Sequence, residues 1–126
     1  MGLVSSLLGN AGVVAPEDLN RGYSNLLVNG ETIEIGFKLV RDVFIFTNKR
    51  LVLVNKQGLT GKKVEYLSVL YRSISRFSIE TAGHFDLEAE LKIWISGEIN
   101  PSITKKFTKQ VNIYDVHNVL AQHVLV

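Results

Sequence analysis

The spacing of apolar residues along the chain changes twice. Up to residue 29 apolar positions recur every three or four residues, which predicts short helices. From Glu31 onward they alternate at every second residue, as in strands that bury one face. After Asn112 the helical spacing returns. We therefore predict one domain over residues 1–126, with a helical extension over 1–29, strands over 31–111 and a capping helix over 112–125.

Two apolar stripes mark the helical extension. The first consists of Leu3, Val4, Leu7 and Leu8, which we expect to pack on the domain itself. Packing on a neighbouring subunit and contact with lipid are the alternatives. The second stripe follows Pro16, because proline and the acidic residues after it favour a helix start. Its apolar members are Leu19, Tyr23, Leu26 and Leu27.

Strand candidates are separated by turns rich in Gly, Asn and charged residues. They cover residues 31–39, 43–47, 51–54, 62–69, 74–80, 86–95 and 103–111. The first has Ile33, Ile35, Phe37 and Leu39 on one predicted face, whereas the second and third are apolar on both faces, as in strands covered on two sides.

Strands this numerous in a short chain must curl and close, or leave edges that proteins usually protect. A stripe along the last predicted helix supplies a cover for such a sheet. The stripe contains Ile113, Val116, Val119, Leu120, His123 and Val124. The pattern predicts a mainly β fold, a partly open seven-stranded barrel or sandwich capped by a C-terminal α-helix, with short N-terminal helices.

Composition narrows the class of protein. Of the 126 residues 46% are hydrophobic and 21% are charged, which is typical of a folded globular domain. The formal net charge of +2 is too small for a dedicated nucleic-acid binder. The absence of cysteine excludes disulfides, thiolate nucleophiles and cysteine-ligated metals. The first residues also lack a secretory signal pattern, so we predict a cytoplasmic location.

No group of residues has the spacing of a catalytic or metal centre. The serines lie outside any Gly-x-Ser-x-Gly elbow, and the glycines form no phosphate-binding loop. His84, His117 and His123 lack a spacing that would bring them together around a metal ion. The sequence therefore predicts no enzyme activity, no cofactor and no metal.

Three carboxylates share the polar face of one predicted strand: Asp86, Glu88 and Glu90. A catalytic pair or a calcium site would use such residues. Strand alternation alone explains them, and we expect a solvated face or cross-strand pairs with Lys105 or Lys109.

Basic residues near the ends of the first four strands are the candidate binding residues. They could bind phosphate groups or an anionic membrane. The alternative is that lysines protect sheet edges and keep the protein soluble. Aromatic residues do not interleave with them as base stacking would require, so no nucleic-acid partner is predicted. The candidates are Lys38, Arg41, Lys49, Arg50, Lys62 and Lys63.

Three segments, residues 41–51, 56–66 and 71–80, together resemble the bacterial pleckstrin-homology (PH) family of single-domain proteins. Leu70 departs from that family, because many relatives have proline before the tyrosine. The resemblance implies a PH-like fold without a catalytic centre and homo-oligomers arranged as rings. The basic pattern with which eukaryotic relatives grip phosphoinositides is reduced here to Lys38 and Arg41, opposed by Asp42.

These observations favour a non-enzymatic adaptor that self-associates through strand edges and apolar outer faces and presents loops to a protein partner. The apolar content on both faces of the second and third strands motivates that hypothesis. The alternative is peripheral binding to anionic lipid or another phosphate-bearing ligand through the basic loops.

Overall fold

The computed structural model describes residues 2–60, 62–81 and 88–126. Its helices are α1 Leu3–Leu7, α2 Pro16–Tyr23 and α3 Ile113–Val124, with 3-10 turns at Ser24–Leu26 and Tyr71–Ser73. Its strands are β1 Val13–Val14, β2 Ile33–Lys38, β3 Val43–Thr47, β4 Arg50–Gln57, β5 Lys63–Leu70, β6 Ile74–Glu80, β7 Ala89–Ile95 and β8 Ile103–Phe107.

The strands form two antiparallel sheets. One has five strands in the order β1-β2-β3-β4-β5, and the other has three in the order β6-β7-β8. This architecture, with its C-terminal helix and short N-terminal helices, confirms the predicted fold class. The additional strand β1 was not predicted, because its two residues are too few to show an alternating pattern.

The main core lies between the sheets and is rich in phenylalanine. Phe44 of β3 and Phe107 of β8 meet edge to face, with ring centroids 5.1 Å apart. Helix α3 closes this core with side chains that are buried as predicted. They are Ile113, Val116, Val119 and Leu120, with His123 and Val124 packed beside them. Asn112 caps the helix by accepting a hydrogen bond from the Tyr114 amide at 3.0 Å.

A second apolar cluster covers the outer face of the five-stranded sheet. Ile45, Val52 and Val54 are buried there beneath Leu19 of α2. The two-sided apolar pattern of β3 and β4 is therefore satisfied within the chain. The expectation that these outer faces serve self-association is wrong for this part of the sheet, because the chain's own helix already buries them.

Strand β2 changes face near its start. The pairing of β2 with β3 shifts in register between Ile33 and Ile35, which is a bulge. As a result Ile33 belongs to the outer cluster, whereas Ile35 and Phe37 point into the main core. We predicted that Ile33 shares one face with Ile35, Phe37 and Leu39, and this is wrong for Ile33. The bulge adds a residue to the strand, so the alternation of faces does not continue through it.

Helix α1 packs on the domain, as we expected. Leu7 is buried in the main core, and Leu3 and Val4 pack against it. Leu8, the fourth residue of the stripe, is 41% exposed.

The predicted limits of two strands need correction. Strand β4 continues to Gln57, since its polar end pairs with the first residues of β5. Strand β8 ends at Phe107 rather than Val111, because residues 108–111 turn, with a hydrogen bond from the Val111 amide to the Thr108 carbonyl. Val111 still points inward and is buried.

Candidate interaction surfaces

A buried ion pair occupies the β3–β4 end of the five-stranded sheet. The Arg50 guanidinium donates through Nε to Glu31 Oε2 at 2.8 Å and through Nη2 to Oε1 at 3.0 Å. The Glu31 side chain is fully buried, so this two-pronged contact supplies the charge that its burial requires. The Thr47 hydroxyl donates to the same carboxylate at 2.7 Å.

Arg50 also holds two other segments. Its Nη2 donates to the Leu26 carbonyl at 2.5 Å and its Nη1 to the Ser68 hydroxyl at 2.7 Å. The guanidinium thus connects the segment after α2, the start of β4 and strand β5. Of the six basic candidates, Arg50 has its donors engaged inside the domain. Its neighbour Lys49 is exposed at the same end of the sheet.

Protonation of the Glu31 carboxylate makes the free energy of unfolding depend on pH. Hydrogen bonding to Arg50 lowers the pKa of Glu31 from 4.5 to about 2, with further help from Thr47 and the Val28 amide and against the effect of burial. Since the folded pKa lies below the unfolded one, the carboxylate stabilises the fold above pH 4.5. This contribution, about 3 kcal/mol, is lost as pH falls from 4.5 towards 2.

Urea unfolding measured between pH 2 and pH 6 tests this dependence. We expect the Glu31→Gln variant to lose less stability over that range than the wild type does. Glu17→Gln, which alters an exposed carboxylate of α2, is the matched control and should keep the wild-type profile. Parallel profiles for all three proteins would contradict the assignment to Glu31.

Four other basic candidates meet at the opposite end of the sheet. Lys38 ends β2, Arg41 lies in the following turn, and Lys62 and Lys63 precede and begin β5. The two loops touch, because Arg41 Nη2 donates to the Gly58 carbonyl at 2.6 Å. The structure therefore brings Lys38, Arg41, Lys62 and Lys63 to one end and leaves Lys49 and Arg50 at the other.

Two exposed apolar residues stand among these basic residues. Val40, at the β2–β3 turn, is 81% exposed, and Leu59, between β4 and β5, is 106% exposed relative to the reference state. Neither was predicted as a site residue. The only available sequence signal was an apolar residue inside a polar turn. We call the set Lys38, Val40, Arg41, Leu59, Lys62 and Lys63 the loop-tip surface.

Asp42 adjoins the loop-tip surface and offsets part of its charge. Its carboxylate accepts a hydrogen bond from the Lys56 amide at 2.9 Å and lies 3.5 Å from Lys105 Nζ. Lys105 reaches Asp42 and Asn55 because it points between the sheets rather than onto the polar face of β7. The predicted pairing of Lys105 with the β7 carboxylates is therefore wrong.

On the polar face of β7, the lysines beside Glu90 are Lys92 and Lys106. Glu90 lies opposite Lys106 in the β7–β8 register and 3.6 Å from Lys92 Nζ. Glu88 and Glu90 help line a cavity of about 310 Å³ with Glu80 and Lys106. Asp86, the third predicted carboxylate, lies outside the described residues.

Strand β5 is the least covered strand of its sheet. It is the last strand of that sheet and pairs only with β4 in the described part of the chain. Three of its large apolar residues are exposed: Tyr66 by 47%, Leu67 by 38% and Leu70 by 44%. An apolar strand surface of this kind therefore remains open to a partner.

An apolar groove runs between the free side of β5 and the start of β8. Its volume is about 300 Å³, and we call it the β5–β8 groove. Past Leu67 and Ile103 it continues towards Asn55, Glu65 and Lys105. Its lining includes Leu67, Leu70, Ile95, Glu98, Ser102 and Ile103.

The two histidines that the structure describes, His117 and His123, make packing contacts. His123 stacks on Tyr71, with ring centroids 4.4 Å apart, and its Nε2 lies 2.8 Å from Glu34 Oε1. Burial raises the pKa of Tyr71 well above its usual range. His117 packs near Phe77, and His84 lies outside the described residues. No group of three or more potential metal ligands from His, Asp and Glu converges among the residues that the structure describes.

Within the described ranges, no helix has both the length and the apolar character that a membrane crossing demands.

Comparison with known proteins gives a consistent result. The sequence profile of the bacterial PH domain matches residues 2–124. The uncharacterised protein YjqA of Bacillus subtilis is 54% identical over 121 residues, which is 96% of this chain and 97% of that protein. The uncharacterised protein YozO of the same organism is 33% identical and covers 79% of this chain and 83% of its own length.

Solved structures show the same relationship. A pleckstrin-homology domain from Shewanella amazonensis SB2B has a TM-score of 0.83 and 42% identity, over 99% of this chain and all of that one. A protein with a pleckstrin-homology domain from Shewanella loihica PV-4 has a TM-score of 0.79 and 41% identity, over 92% of this chain and 98% of that one.

Proposed function

Since this chain belongs to the bacterial PH domain family, we propose that it is a non-enzymatic cytoplasmic module that self-associates through strand β5. The PH fold is generally a binding module without a catalytic centre, which supports a non-enzymatic role. The loops at the two ends of the sheet would then be presented to a protein partner.

The exposure of β5 carries the proposal. Six of its eight residues are exposed, whereas four of the eight residues of its neighbour β4 are buried. In the outer cluster, α2 covers β3 and β4 through Leu19, but Tyr66 and Leu70 of β5 stay exposed. Although Tyr23 of α2 meets Tyr66 edge to face, β5 is therefore the strand of this sheet whose apolar residues are least covered.

Proteins usually protect such an edge with charges, proline or a bulge. Strand β5 has Lys63 and Glu65 near its start, but the stretch Tyr66–Leu70 carries neither charge nor proline. Its pairing with β4 shows no register shift that would twist it away. Burial against a second copy would cover this stretch. If each copy contacts the next in the same way and with the same rotation, the contacts can close into a ring, which is the assembly that the family resemblance implies.

Lysine at position 67 tests this role. Because Leu67 is partly exposed in the β5–β8 groove, a lysine there can reach solvent in the monomer but would be buried in an interface. We expect Leu67→Lys to reduce the mass measured by light scattering to that of the 14.1 kDa chain.

The control is Leu125→Lys, since Leu125 is 73% exposed at the end of α3. It should assemble like the wild type, and circular dichroism should show that both variants are folded. Full assembly of Leu67→Lys would contradict an interface on β5.

A second candidate function rests on the loop-tip surface. Val40 and Leu59 could enter an anionic bilayer while the surrounding lysines contact its headgroups. Cosedimentation with phosphatidylserine vesicles should then rise with anionic lipid and fall with salt. Lys62→Gln should weaken binding about fivefold, whereas Lys49→Gln, at the other end of the sheet, should not. The absence of pelleting at low salt would reject this function.

A further inference from the structure

An oxygen faces each of the two ring nitrogens of His123. Its Nδ1 lies 2.8 Å from the Val119 carbonyl oxygen, and its Nε2 lies 2.8 Å from Glu34 Oε1. A neutral imidazole has one N–H, so it can donate to one of these oxygens but turns a nitrogen lone pair towards the other. Two facing lone pairs repel each other at this distance. The two contacts together therefore require a ring with a proton on both nitrogens.

The surroundings of His123 favour this cationic form of the ring. Glu34 supplies a carboxylate from β2. The ring also stacks between Tyr71 and Phe46, with centroids 4.4 Å and 6.0 Å away, and aromatic faces attract a cation. It lies in the last turn of α3, where the helix dipole favours positive charge. Burial opposes the charge, since the His123 side chain is only 15% exposed, so the cation depends on its carboxylate partner.

Tyr71 is the other titratable group that faces the ring. Burial, together with the negative charges of Glu34 and Glu31, raises the pKa of Tyr71 well above its usual range, so it stays a neutral phenol. Glu31 is itself paired with Arg50. The residues of α1 nearest the ring carry no charged side chain. A change of charge near neutral pH therefore falls on the pair of His123 and Glu34.

This pair joins two segments that are 89 residues apart, the end of α3 and strand β2. Helix α1 meets them at a cavity of about 370 Å³. The Glu34 side chain is 31% exposed, so water in the cavity can accept the proton and solvate the carboxylate. The lining residues are Gly2, Leu3, Val4, Glu34, Gln122 and His123.

We propose that this junction is a pH-sensitive latch, in which doubly protonated His123 holds the end of α3 and the adjoining helix α1 against Glu34 of β2. When the ring gives one proton to water, one of its two contacts loses its hydrogen bond and the last turn of α3 loosens. The latch goes beyond the proposed self-association and does not depend on it, because neither residue of the pair lies in β5.

Hydrogen exchange of the full chain, followed by mass spectrometry at pH 6 and pH 8.5, tests the latch. After correction for the intrinsic effect of pH on exchange, a peptide over residues 119–126 should lose about tenfold in protection at the higher pH, because a hydrogen bond to a charged group is lost. A peptide over residues 50–57, from the buried strand β4, should keep its protection and serves as the internal control.

Glu34→Gln separates the latch from a general effect of pH. The amide of the new side chain can donate to an unprotonated Nε2, so the contact no longer needs the second ring proton. Protection of residues 119–126 should then be the same at pH 6 and pH 8.5. His117→Gln is the matched control, because His117 lies on the same helix but packs near Phe77, and it should keep the wild-type response.

Three results would overturn the inference. One is a wild-type protein whose residues 119–126 are equally protected at both pH values. Another is a tenfold loss of protection in Glu34→Gln, which would show that the response does not pass through the pair. The third comes from nitrogen-15 NMR at pH 6, where we expect both ring nitrogens of His123 to carry a proton, and where a singly protonated ring would exclude the latch.

Discussion

Replacing Arg50 by alanine is expected to destabilise the protein by about 3–5 kcal/mol. The substitution leaves the Glu31 carboxylate buried without its cation, and it also removes the donors to Leu26 and Ser68. An unpaired buried charge costs far more than the loss of an exposed ion pair. Urea unfolding at neutral pH, with a constant slope, measures the change in the free energy of unfolding.

Lys49→Ala is the control for that measurement. Lys49 is the exposed neighbour of Arg50, so its loss should change stability by less than about 0.5 kcal/mol. A loss below about 1 kcal/mol for Arg50→Ala would contradict a structural role. It would also make the guanidinium available for the anion-binding role that its position in the sequence suggested.

The second large effect is expected where α2 packs on the sheet. Leu19 is 2% exposed, and its side chain lies over Gly36 of β2. Leu19→Ala should cost about 2–5 kcal/mol through lost burial and the cavity that remains. A methyl group at Gly36 would lie 2.7 Å from a Leu19 methyl carbon and 3.2 Å from the Phe44 carbonyl oxygen. Gly36→Ala should therefore cost about 1–3 kcal/mol through overpacking.

The two substitutions together provide a sharper test. The alanine methyl at position 36 would occupy space that Leu19→Ala vacates, so the double variant should be more stable than the sum of the single effects predicts, by about 1 kcal/mol. Leu125→Ala, at an exposed leucine, is the control and should have little effect. Additive losses would show that Leu19 and Gly36 do not share this contact.

Much of the fold could be predicted because the apolar spacing is regular. The alternation of Leu91 and Ile93 in β7 and the stripe of α3 match the residues that are buried. The errors arise where one residue breaks the period. The bulge in β2 moved Ile33 to the outer cluster, and sequence spacing alone does not reveal which residue a bulge displaces.

The interaction surfaces were harder to predict, because they depend on contacts between distant segments. Arg50 and Lys62 both read as basic residues near strand ends, but only the folded chain places Glu31 against the first of them. Similarly, the apolar outer residues of β3 and β4 suggest a subunit interface in the sequence, but in the folded chain α2 covers them. Strand β5, in contrast, stays exposed, because it lies at the edge of the sheet.

These findings move the proposed site of self-association from the central strands to the edge of the sheet. The six basic candidates also fall into two groups. Four lie at the loop-tip surface, and the other two lie at the opposite end of the sheet. Both proposed contacts, β5 with a second copy and the loop tips with lipid, therefore involve the β4–β5 hairpin.

The native mass of the wild-type protein tests the central claim most directly. Sedimentation velocity at micromolar concentration should show one assembly whose mass is a whole-number multiple of the 14.1 kDa chain. A single species with the mass of one chain across that concentration range would contradict self-association through β5.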